Sequence, residues 1–284
     1  MTRNRFSKGV YILPNLCTTA SLFCGFFAVI KSLAGQPIAA AWAILLAGVF
    51  DLLDGRVARL THAESQFGIE YDSLVDLASF GLAPGILMYT WTLYGLGKIG
   101  WLAAFLYFAC GAMRLARYNL QHNTVEDKRF QGLPIPVAAY VLASYVNFHH
   151  YFNSMPPKGS HVVLAMTVVL SLLMVSNIGY LSFKQFNFRR KESFFVLVLF
   201  VIGIFIVALR PEATMFVLVV GYVVYGIIEE FFRMRKRLAL AQRLRERRER
   251  RRQKKQDPCV ILNKVKDPDE TGILPLRRAQ GQND

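Results

Sequence analysis

Long uncharged apolar runs constrain this chain more than any other feature. Val10 to Ile30, Leu77 to Leu96 and Val162 to Phe183 contain no Asp, Glu, Lys or Arg, and each has about 20 residues, enough for an α-helix to cross about 30 Å of hydrocarbon. Only 19% of the 284 residues are charged while 54% are hydrophobic. That is too little charge to solvate a globular surface of this size, so a bilayer must supply part of the solvent. Apolar segments fall at about 10–33, 38–62, 70–95, 99–118, 134–152, 161–181, 194–209 and 212–232, separated by Gly/Pro punctuation such as Gly35-Gln36-Pro37 and Pro211. The expected fold is all-α and polytopic, with about eight transmembrane helices. The first run follows Arg3, Arg5 and Lys8 as a signal peptide would, but it is too long and lacks a small-x-small cleavage site, so it reads as a retained helix.

Basic residues near membrane ends favour the cytoplasmic side. With an even helix count and a cytoplasmic N-terminus, all of the 34 basic residues except Lys31, Lys98, Lys158 and Arg210 fall inside. The expected location is the cytoplasmic (inner) membrane, with both termini cytoplasmic. Residues 1–232 then form the membrane domain and 233–284 a basic, partly disordered tail. Arg233 to Lys255 lacks the interleaved aromatics that stack bases, so anionic membrane lipids are its expected partner and nucleic acid is not.

The four cysteines include no CxxC pair, and the five histidines form no HExxH, which leaves a zinc hydrolase without support. The chemistry lies in carboxylates. Asp51, Asp54, Gly55, Ala58 and Arg59 stand at offsets 0, 3, 4, 7 and 8, one face of a helix. Gly68, Asp72 and Asp76 follow at four-residue intervals and form a stripe on the next helix. Two antiparallel helices would present four aspartates to each other near one interface. A membrane aspartate costs about 2.5–3.5 kcal/mol at the bilayer centre, and Arg59 alone cannot neutralise four. Oxygen-rich clusters suit hard divalent cations such as Mg²⁺, Mn²⁺ or Ca²⁺, and a bound cation would hold an anionic phosphate. Gly55, Ala58 and Gly68 leave room for a nucleotide or for close helix approach. A salt-bridged core and a transporter pathway are the competing readings; ion-carrying carboxylates usually lie nearer the midplane, beside broken helices.

Asp51-x2-Asp54-Gly55-x2-Ala58-Arg59-x8-Gly68-x3-Asp72-x3-Asp76 resembles the signature of the CDP-alcohol phosphatidyltransferase family at all eight of its fixed positions. The resemblance implies a membrane enzyme that attacks a CDP-linked lipid with an alcohol and releases CMP. It implies metal ligation by Asp51, Asp54, Asp72 and Asp76, with Asp76 also taking the alcohol proton, and Mn²⁺ or Mg²⁺ as cofactor. Gly55, Ala58 and Arg59 would line the CDP site beside Gly68. Ser65 and Pro14-Asn15-x2-Thr18 resemble nucleotide-contacting elements of the family, although Pro14 and Asn15 could equally cap the first helix.

Three further stretches are similar to the branch whose acceptor is L-serine: Arg114-Leu-Ala-Arg117-Tyr118-Asn119, Phe130-Gln-Gly132-Leu-Pro134-Ile-Pro136, and Met174-Val-Ser176 with Tyr180-Leu-Ser182-Phe183-Lys184. The resemblance implies transfer from CDP-diacylglycerol to L-serine; glycerol 3-phosphate or an inositol compound is the alternative acceptor. Arg114 and Arg117 could bind the serine carboxylate or simply anchor the topology. Gly132 to Pro136 reads as a rigid lead-in to the fifth helix, with a backbone donor or carbonyl freed toward the site. Homodimerisation is an expectation by family analogy.

Overall fold

The computed structural model describes residues 12–61, 65–122, 130–153, 157–176, 179–180 and 210–256. Among these described residues eight α-helices follow in order: α1 (Ile12–Leu33), α2 (Pro37–Thr61), α3 (Gln66–Asp76), α4 (Ala83–Trp91), α5 (Lys98–His122), α6 (Ile135–Phe152), α7 (His161–Val175) and α8 (Pro211–Gln256). A π-helical turn, Leu77–Leu82, joins α3 to α4. The described strand is minimal: β1 (Phe130–Gln131) pairs antiparallel with β2 (Gly179–Tyr180). The expected segment at 194–209 lies outside the described residues, as does the tail beyond Gln256.

Among the described residues, five stretches are long and apolar enough to cross a membrane: Pro14–Leu33, Pro37–Ala58, Gln66–Trp91, Lys98–Leu120 and Pro211–Glu230. The chain is membrane-embedded. The sixth expected segment differs from its expected extent. Its helix ends at Val175 after 15 residues, about 22 Å at 1.5 Å per residue and short of a bilayer core. Ser176 stops it, with the Ser176 N–H bonded to the Leu172 carbonyl, and Gly179-Tyr180 turns to pair with β1. The uncharged run to Phe183 is therefore not one continuous helix.

The chain divides into two compact units, Met1–Glu230 and Phe231–Asp284. In the first, α1 packs closely on α2, α2 on α6, and α5 on α7. Its core is built from small and medium side chains, among them Ala28, Ala40, Ala47, Leu87, Ala139 and Leu142. In the second, residues 231–256 are helical, with Arg235 and Arg245 exposed.

The π turn has a readable cause. Pro84 has no N–H to give the carbonyl four residues back, which belongs to Phe80. Tyr107 on α5 donates its hydroxyl to that carbonyl at 3.1 Å instead, and the Ala83 N–H reaches back five residues to Ala78. A neighbouring helix thus satisfies the group that proline orphans, as a bilayer requires. The turn begins immediately after Asp76, and π turns occur often at functional sites.

Gly132 carries φ +83° and sits where a Cβ would meet the Met174 carbonyl oxygen at 2.2 Å, so the lead-in to α6 requires glycine. The Leu133 N–H bonds the Leu173 carbonyl. One backbone donor of this lead-in, the Leu133 N–H, is therefore committed to the end of α7, and Pro134 supplies the N-cap position of α6.

Candidate active site

The site is built on the α2–α3 pair. Asp51 and Asp54 come from the second half of α2, and Asp72 and Asp76 come from α3. One carboxylate oxygen each from Asp51, Asp72 and Asp76 lie within 4.8 Å of one another. Asp51 and Asp76 are close electrostatic neighbours. Asp54 stands outside this tight trio but within Coulombic range of Asp51 and Asp72, and is only 6% exposed. Four carboxylates at one place repel one another, and the expense of desolvating them adds to that.

Asp54 Oδ2, Asp72 Oδ1 and Asp76 Oδ1 are buried with no hydrogen-bond partner. Such atoms are costly unless something binds them. Anionic oxygens converging at this spacing are a hard-cation donor set, and they fit a divalent metal.

The first helix closes one side. Thr18 is buried and its Oγ1 donates to the Pro14 carbonyl at 3.1 Å, while also lying in reach of the Asp54 carboxylate. Its single hydroxyl proton can serve one of them at a time. Pro14 stands in the first turn of α1. The Asn15 side chain does not cap that helix but faces α3: its Oδ1 lies 3.6 Å from where a Cβ of Gly68 would sit. Ser65 N-caps α3, its Oγ accepting from the Gly68 N–H at 3.0 Å. Asn15, Ser65 and Gly68 thus meet at one point. Around Gly55 nothing lies within 4 Å of an added Cβ, so there the small residue leaves open space rather than a helix contact. Ala58 is half-buried one turn on, and Arg59 occupies a helical position on the same stretch.

Arg114 and Arg117 part company. Arg114 is 9% exposed, lies in Coulombic range of Asp76 and keeps its Nε buried without a partner. A topological anchor would extend toward headgroups and water; this guanidinium does not. Arg117 Nη1 donates to the Val175 carbonyl at 3.1 Å, holding the C-terminal end of α7. Asn119 Nδ2 donates to Ser73 Oγ at 3.1 Å and ties α5 to α3 between the two aspartates. Lys184 lies outside the described residues.

Two tyrosines packed around this part of the bundle carry no sequence signal. Tyr107 supports the π turn after Asp76, and Tyr140 on α6 lies in Coulombic range of Asp51 and Asp76. Neither has a motif spacing to the carboxylates; the packing of α5 and α6 brings them there.

Comparison with known proteins bears on what this arrangement does. The family model described as CDP-alcohol phosphatidyltransferase matches residues 11–175, a stretch that includes all four aspartates. A CDP-diacylglycerol–serine O-phosphatidyltransferase of Helicobacter pylori is 38% identical over 225 residues, covering 79% of this chain and 93% of that protein. The Bacillus subtilis protein of the same name is 37% identical over 183 residues, 64% of this chain and 96% of its own length. An archaetidylserine synthase of Methanothermobacter thermautotrophicus is 38% identical over 170 residues, 59% of this chain and 69% of that protein.

Proposed function

This chain belongs to the CDP-alcohol phosphatidyltransferase family, and from that membership we propose that it transfers the phosphatidyl group of CDP-diacylglycerol to L-serine, releasing CMP. The single observation that carries the reading to this site is the trio of convergent oxygens from Asp51, Asp72 and Asp76, two of whose residues retain buried, unpartnered oxygens. The serine acceptor is supported by the names of the relatives and by a buried guanidinium beside Asp76.

Asp51, Asp54, Asp72 and Asp76 would hold the divalent cation, Mn²⁺ or Mg²⁺, whose chemistry here is to neutralise charge on the pyrophosphate and the departing CMP. Thr18 beside Asp54, and Asn15, Ser65 and Gly68 where α1 meets α3, would contact the nucleotide, with the open space at Gly55 admitting it beside Ala58 and Arg59. The serine hydroxyl oxygen forms a bond to the phosphorus bearing diacylglycerol, the pyrophosphate P–O bond breaks, and CMP takes the electron pair. Asp76 accepts a hydrogen bond from the attacking hydroxyl and receives its proton, and alignment of that hydroxyl is its larger contribution. Arg114 pairs with the serine carboxylate.

The chain is assigned to the cytoplasmic membrane with about eight spans and both termini cytoplasmic, the basic residues falling on one side. Residues 1–232 form the catalytic domain, and the basic helix that follows contacts anionic lipid headgroups. Homodimerisation through membrane helices is the expected assembly. The test is CMP release by purified protein in detergent with CDP-diacylglycerol and Mn²⁺, comparing L-serine, glycerol 3-phosphate, inositol and no acceptor. Release that requires serine and disappears on chelation supports the reading; equal release with another acceptor discards serine and keeps the chemistry.

A further inference from the structure

Tyr140 lies outside the aspartate signature, yet contacts on two other helical segments set its phenol beside the cluster. On α2, the tip of its ring fills the space a side chain at Gly48 would take: a Cβ there would fall 1.4 Å from the Tyr140 hydroxyl oxygen. Asp51 is three residues further on, the next position on the same helical face. On the neighbouring span, the ring meets Phe80 edge to face, with centroids 6.1 Å apart at 86°. Asp76 is four residues before Phe80, again one turn along the same face. The two placements agree, and the hydroxyl has Asp51 and Asp76 as its charged neighbours.

Packing alone does not require an oxygen at this point. The Phe80 contact uses the ring edge and face, and the hydroxyl makes no hydrogen bond among the described residues. A phenol can donate one hydrogen bond to a carboxylate, and carboxylates that bind metal depend on such outer partners for their orientation. Gly48 is the position that admits the ring; any side chain there would collide with it.

We propose that Tyr140 is a positioning residue for the Asp51–Asp76 pair: its hydroxyl stands beside the two carboxylates, unbonded among the described residues, and on cation binding donates a hydrogen bond to them that fixes Asp76 toward the acceptor hydroxyl. The inference rests on the metal-dependent transferase reading above. Tyr140 acts through the carboxylates and does not itself touch the reacting atoms.

The test is Tyr140→Phe in the full chain in detergent, which keeps the ring and removes the hydroxyl. Wild-type CMP release is measured first against Mn²⁺ and serine; failure there removes the underlying transferase reading, and this inference with it. With wild type active, the variant is expected to lose about 10- to 100-fold in kcat and to need more Mn²⁺ for half-saturation. KM for CDP-diacylglycerol and the melting temperature should stay at wild-type values. Wild-type kcat and Mn²⁺ dependence in the variant would overturn the proposal. So would a kcat loss accompanied by a parallel fall in melting temperature, because the hydroxyl would then serve packing.

Discussion

The two ends of the span running from Gln66 to Trp91 treat polar groups in opposite ways. At the far end, Thr92 donates to the Pro157 carbonyl and its Oγ1 accepts from the Ser160 N–H, while the Thr92 carbonyl takes the Gly159 N–H. Trp91 packs edge to face on Tyr145 and His149. Arg210 gives its guanidinium to the Tyr151 hydroxyl at 2.8 Å. At the near end, the Asp72 and Asp76 carboxylates and the facing Asp54 and Arg114 each leave a buried polar atom without a partner. At the far end these groups are paired within the chain, with Asn147 Oδ1 the exception. The near end gathers four such groups at one place, and on the function proposed above they are left for ligands.

Substitutions at the two ends should therefore act on different observables. The largest effect is expected from Asp76→Asn, which should lower CMP release by at least about 10²-fold without reducing the melting temperature, since it removes one of several mutually repelling charges. Lost stability in parallel with lost activity would erase the contrast. Arg114→Gln should raise the KM for serine about 10- to 100-fold, the equivalent of about 1.5–3 kcal/mol for hydrogen bonds to a charged group, with CDP-diacylglycerol KM little changed; an unchanged serine KM would return Arg114 to a structural role.

Smaller effects sharpen the boundary between the ends. Tyr107→Phe leaves the Phe80 carbonyl without its donor beside a proline and should destabilise by about 1–3 kcal/mol in denaturation. Because the π turn follows Asp76 directly, some loss of kcat should accompany it. Thr92→Val should destabilise by about 1 kcal/mol and leave every kinetic constant unaltered. A kinetic effect at Thr92 would mean that the far end is coupled to the chemistry.

What the sequence discloses follows from distance along the chain. The aspartates are legible because i+3 and i+4 spacing reports a helix face directly, and the trio at Asp51, Asp72 and Asp76 requires only that two consecutive helices turn back on each other. Asp54 shows the limit: its spacing places it on the face, but only the packing reveals that it stands outside the trio. The interruption at Leu77–Leu82 is hidden because Pro84 reads as an ordinary breaker, and its compensation comes from Tyr107, 23 residues later. Val175 ends its helix inside an uncharged run, where hydropathy gives no stop signal and only Ser176, Asn177 and Gly179 hint at one. Tyr140 and Gly48 are 92 residues apart, with nothing in either segment to suggest that they touch.

The unpartnered aspartate oxygens are proposed to hold a divalent metal. Mn²⁺ binding to purified wild-type protein, followed by electron paramagnetic resonance and compared with Asp72→Asn, tests it most directly. Saturable binding in wild type that is weakened at least about 10-fold in the variant, with Mg²⁺ competing, is the expected result. Equal Mn²⁺ binding by the two proteins, or none by a folded wild type supplied with CDP-diacylglycerol, would contradict the claim.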